Sequence, residues 1–125
     1  MKIFSVEEAN ALIPTVRRIV ESIQRQHSGL LSFEAAAKYA AEGAEQGGGG
    51  MAEGSRYVAI LAKLAERTSE LEALGVQLKD YGRGLIDFPS LRDGRVVLLC
   101  WQLGEGDEVQ WWHDVDAGFA GRQPL

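Results

Sequence analysis

Residues 71–89 read LEALGVQLKDYGRGLIDFP, and the hydrophobic spacing changes inside this stretch. Up to Leu74 apolar residues recur three and four positions apart, with Leu61, Leu64, Leu71 and Leu74 on one stripe. After Gly75 the spacing is two: Val76 and Leu78 alternate with polar residues. Positions i, i+3 and i+4 share a face on a helix, whereas i and i+2 share a face on a strand. Glycine is also the residue that most easily takes the left-handed backbone at a helix stop. Gly75 therefore divides a helical part from a pleated part.

Toward the N-terminus, FSVEEA (4–9) starts a helix. Ser5 can cap it, Glu8 sits three residues on to complete a capping box, and Phe4 with Ala9 can form the hydrophobic staple. Val6, Ala9, Leu12, Ile13, Val16, Ile19, Val20, Ile23, Leu30 and Leu31 continue the stripe, with His27 on it as a buried or half-buried residue. Pro14 removes one backbone bond and predicts a kink. The expected layout is helix 1 over 1–45, a flexible glycine-rich loop over 46–54, helix 2 over 55–75, and a β-meander with an ordered tail over 76–125. Helix 2 carries Tyr57, Val58, Leu61, Leu64, Ala65, Thr68, Leu71 and Leu74 on one stripe.

Toward the C-terminus, VQLKDY and LIDFP read as strands joined by GRG, and RDGR (92–95) holds the Asp-Gly pair favoured in two-residue hairpin turns. Pro89 confines its strand to an edge or ends it. RVVLLCWQL is apolar on both faces and fits a central strand, and GEGDE turns it back into VQWWH. The carboxylates sort the same way. All ten before Val76 are Glu and six of the eight after it are Asp, which suits helices first and turns second. The expected fold is a single α+β domain: a long antiparallel helical hairpin, kinked at Pro14, packed on an antiparallel meander of three to four strands.

Length and charge narrow the function classes. A chain of 125 residues buries a core without metal or disulfide staples. Thirteen Lys+Arg against eighteen Asp+Glu leave a net charge of −5, which opposes the attraction to phosphate backbones on which nucleic-acid binding relies. The lone Cys100 lies in an apolar run and reads as a buried thiol. No apolar run approaches the roughly 20 residues of a membrane span, and the acidic N-terminal segment does not read as a signal peptide. The expected location is the cytoplasm.

The stretches FSVEEANALIPTVR, LGVQLKDYGRGLIDFPS, VLLCWQLGE and WWHDVDAGFAGRQPL together resemble an uncharacterised bacterial family, domain of unknown function 2203. The resemblance implies no activity, cofactor or catalytic residue. It marks the aromatic ending as a family feature.

The polar residues beyond Gly75 are where a site would form. Asp87 and His113 are candidates for an acid–base pair, since imidazole titrates near neutrality and a carboxylate orients it. Glu105, Trp111, Trp112, Asp114, Asp116 and Arg122 are candidates for ligand contacts, and His113 for a metal ligand. Trp111 and Trp112 alternate on a strand, so one points into the core and the other outward or under the tail. Arg122 is expected to pair with Asp114 or Asp116, with an anion clamp as the alternative. DVDAGF lacks the spacing of a calcium loop, there is no C-x-x-C pair, and the glycine run has no phosphate-binding lysine. No cofactor is expected beyond a divalent metal as a minor alternative. The expected function is a non-catalytic interaction module, a homo-oligomer such as a dimer with no nucleic-acid or membrane partner and any other protein partner unknown. The alternative is a small enzyme or a metal- or ligand-binding protein with a site around Asp87, His113, Asp116 and Arg122.

Overall fold

The computed structural model describes residues 1–42 and 50–125. Helix α1 spans Val6–Glu42 and α2 spans Gly50–Ala73. Five strands follow: β1 (Gln77–Asp80), β2 (Leu85–Arg92), β3 (Arg95–Gln102), β4 (Trp111–Asp114) and β5 (Gln123–Pro124), with a short 3-10 turn at Phe119–Gly121 before the last. They form one antiparallel sheet in sequence order. The α+β division at Gly75 holds. Among the described residues no helix is long and apolar enough to cross a membrane.

The capping box forms as expected. Glu8 N–H donates to Ser5 Oγ at 3.0 Å and Ser5 N–H donates to Glu8 Oε1 at 2.8 Å, which also holds the Glu8 carboxyl below its usual range. Ala9, Ile13, Val16, Val20 and Ile23 form the buried stripe of α1 and pack on Ile86, Phe88, Val97, Leu99, Trp101 and Trp112 from the sheet. Helix α1 is unbroken across Pro14. Ser5→Ala removes the hydroxyl acceptor of the box and is expected to cost about 1 kcal/mol, read as a lowered urea midpoint at unchanged slope.

The two helices run antiparallel, with Gly29 against Ile60 and the Phe33 and Tyr57 rings 5.0 Å apart. His27 is half-buried and stacks on Tyr81. Helix α2 begins at Gly50, earlier than the expected Ser55; Met51, Ala52 and Glu53 are helix formers whose signal the preceding glycines mask. The rest of the glycine run, residues 47–49, lies outside the described residues. The inward stripe of α2 is narrower than expected: Tyr57, Leu64, Thr68, Leu71 and Leu74 are buried or half-buried as the spacing predicts. Ile60 faces α1, whereas Val58, Leu61 and Ala65 are exposed.

Two further corrections concern the sheet. It has five strands, because β5 is too short for a two-residue period to reveal. Pro89 neither ends its strand nor lies on an edge strand, since β2 is interior and continues to Arg92. The ring is tolerated because the β1 pairing stops at Asp87. Beyond it Phe4 donates its N–H to the Pro89 carbonyl at 2.7 Å, and Ser90 Oγ donates to the Phe4 carbonyl at 2.6 Å. Gly75 has φ 86°, and a Cβ there would meet Lys2 Cβ at 2.9 Å, so both its conformation and its crowding require glycine.

Candidate functional site: a buried Asp–Cys–His cluster under the C-terminal tail

The two-residue turn at Asp93–Gly94, both with positive φ, fixes the β2–β3 register. Counting back from it sets Asp87 opposite Cys100, and the next pairing sets Leu98 opposite His113. Alternation turns Ile86, Phe88, Leu99 and Trp101 toward the helices and Asp87 and Cys100 toward the other face. On that second face the side chains of Asp87 and His113 meet from the strands flanking β3.

Nε2 of His113 lies 3.1 and 3.2 Å from the two carboxylate oxygens of Asp87, and Nδ1 lies 2.8 Å from the Asp114 carbonyl. A carbonyl only accepts, so Nδ1 carries a proton and Nε2 faces the carboxylate. The side chains are 3% and 2% exposed, respectively. The thiol of Cys100 completes the group, with one ligand atom from each residue within 4.8 Å of the others. Burial pushes the Asp87 carboxyl up, opposed by the His113 charge and by hydrogen bonds from His113 and Cys100. Burial, reinforced by the Asp87 charge, pushes the Cys100 thiol up to about 12, with Arg122 acting in the opposite direction. In the absence of an ion this disfavours the thiolate, the nucleophilic form of the side chain.

The tail closes over this face. Arg122 Nη2 donates to Glu105 Oε2 at 2.6 Å, while Glu105 Oε1 accepts the Gln102 N–H at 2.6 Å. The Arg122 guanidinium stacks on Trp111 at 4.8 Å and on Phe119 at 4.7 Å, and Arg83 lies 4.1 Å from the Phe119 ring centroid. Arg122 is 90% covered, and its Nε is buried with no hydrogen-bond partner among the described residues. Leu125 N–H donates to the Gln110 carbonyl at 2.9 Å, and β5 pairs with β4.

Of the candidates named from sequence, Asp87 and His113 are brought together, and Glu105, Trp111 and Arg122 form the adjoining clasp. Trp112 points the other way and is buried in the main core. The partner of Arg122 is Glu105, not Asp114 or Asp116. Asp114 instead pairs with Arg95 at 3.0 Å, and its carbonyl anchors His113. Asp116 is exposed in the turn before the 3-10 segment. Cys100 is the member that the sequence reading left out of the cluster, although the Asp-Gly turn sets it opposite Asp87. A groove of about 600 Å³ lies elsewhere, between α1 and α2, lined by Arg18, Ile19, Ser22 and Arg67 among others.

Comparison with known families bears on this same face. The model of a family described as an uncharacterized conserved protein (DUF2203) matches residues 2–125. The chain belongs to that family. No curated protein and no solved structure matches it. The DUF2203 match runs over the whole sheet and the tail, so the clasp and the buried cluster lie within the family's own extent.

Proposed function

We propose that this DUF2203 chain is a non-catalytic bacterial interaction module of the cytoplasm, which pairs with a second copy through its helical arm. The reading is carried by one observation: from Gln24 to Ala41 no residue of α1 is buried, although this half of the helix remains apolar. Leu31 is 51% exposed, Tyr39 79%, Val58 62% and Leu61 38%. Leu31, Ala35 and Tyr39 recur every fourth residue along α1, and Val58, Leu61 and Ala65 follow helical spacing along α2. Two-helix arms with open apolar stripes bury them by packing against a further pair of helices.

A second copy fits the charge pattern. From Ser28 to Ala41 only Glu34 and Lys38 are charged, with opposite signs. In a two-fold antiparallel pairing centred near Ala36, Glu34 of one copy meets Lys38 of the other, so self-pairing here avoids the repulsion that a net charge of −5 otherwise brings. A site spanning Asp87, His113, Asp116 and Arg122 has less support, because Asp116 stands apart in an exposed turn.

Light scattering on size-exclusion fractions tests the pairing. The wild type is expected as a dimer, and Leu31→Glu combined with Leu61→Glu as a monomer with an unchanged far-ultraviolet spectrum, since both side chains are exposed in the single chain. A wild type that stays monomeric at high micromolar concentration overturns the reading.

A further inference from the structure

We propose that Asp87, Cys100 and His113 are the protein ligands of one divalent transition-metal ion of the zinc type. Two features of the cluster point to an ion. The donor atoms are a carboxylate oxygen, a sulfur and an imidazole nitrogen within 4.8 Å of one another, a set that suits a borderline-soft cation. Magnesium and calcium are poorly matched, because they take several oxygen ligands and the cluster offers one carboxylate beside a thiol. The imidazole is already oriented as a ligand: Nδ1 donates to the Asp114 carbonyl, and Nε2 is aimed at the other two donors. A bond from the other ring nitrogen to a backbone carbonyl fixes the tautomer in metal-binding histidines.

The charge balance also fits a buried site. The ligands themselves supply two negative charges to a bound ion, one from the Asp87 carboxylate and one from the Cys100 thiolate, while a histidine ligand is neutral. A divalent ion forms bonds to carboxylate oxygen, thiolate sulfur and Nε2, and any proton that these donor atoms carry without it passes to solvent. The product is neutral overall, so the ion adds no net charge to the interior. Among the described residues no fourth His, Cys, Asp or Glu joins the group, so a tetrahedral ion keeps one position for water or an added ligand. This arrangement goes beyond the proposed pairing of helical arms and does not depend on it.

The test uses the full chain, stripped with EDTA and titrated with cobalt(II), which shares the tetrahedral preference of zinc and absorbs light. The expected result is one ion per chain with a near-ultraviolet sulfur-to-cobalt band and visible d–d bands that zinc abolishes. Because Cys100 is the only cysteine in the sequence, the wild-type spectrum alone assigns the sulfur, whether or not a variant folds. Cys100→Ser is expected to lose the near-ultraviolet band, and His113→Gln to bind zinc roughly tenfold more weakly or worse. Tryptophan circular dichroism reports whether each protein is folded. The proposal is overturned if the folded wild type shows no sulfur-to-cobalt band, if one ion is shared between two chains, or if folded His113→Gln takes up zinc at wild-type affinity.

Discussion

Asp87→Leu, measured in EDTA, is expected to lower the free energy of unfolding by about 2–3 kcal/mol, whereas Asp87→Asn costs about 1 kcal/mol. The difference comes from the hydrogen bond between Asp87 and Nε2 of His113. With its Nδ1 proton committed to the Asp114 carbonyl, the imidazole has one nitrogen left, and Asp87 is its partner at 3.1 Å. Leucine leaves that nitrogen buried and unpaired in a side chain only 3% exposed. An asparagine amide donates to the same nitrogen of a neutral imidazole, so the pair survives without its charge. Removing both polar groups, as Asp87→Leu with His113→Leu, is expected to cost less than the sum of the single changes. Urea melts followed by tryptophan fluorescence give all four corners of the cycle. A cost below about 1 kcal/mol for the leucine variant would mean that the cluster is open to water.

The sequence shows the outline of the fold because the strongest signals are local. The capping box, the stripe of Ala9 to Ile23 and the period change at Gly75 each depend on a few neighbouring residues. So does the opposition of Trp111 and Trp112, of which Trp112 enters the core and Trp111 lies under the tail. The features that eluded it depend on distant residues. Pro89 reads as an edge residue because its sequence neighbours do not reveal that Phe4, 85 positions earlier, takes its carbonyl. Arg122 reads as a partner for the nearby aspartates, yet the tail crosses the sheet and brings it to Glu105. The short β5 has too few residues for any period. Cys100 is the instructive case: its apolar neighbours explain its burial and divert attention from its register. The Asp93–Gly94 turn contained the missing information, since a two-residue hairpin fixes every pair along its two strands.

Trp101→Ala is expected to cost about 3–5 kcal/mol, and Trp101→Phe about 1–2 kcal/mol. Trp101 is the largest fully buried side chain, and its indole N–H donates to the Gly106 carbonyl at 3.1 Å. Alanine leaves a cavity where the helix stripe meets the sheet. Phenylalanine keeps most of the ring and leaves no orphaned carbonyl, because Gly106 also accepts from Arg17 Nη2 at 2.6 Å. The effect should extend beyond stability. Trp101 and Arg17 together hold the β3–β4 loop, and the same loop carries Glu105, which anchors Arg122. A loosened loop weakens the clasp over Trp111 and uncovers Cys100, whose thiol in the wild type is buried and protonated. Labelling of Cys100 by a thiol reagent under native conditions is therefore expected to be faster in Trp101→Ala than in Trp101→Phe, and slowest in the wild type. Equal labelling rates in folded Trp101→Ala and wild type would show that the core and the clasp are uncoupled, with the loop held by Arg17 and Asp107 alone.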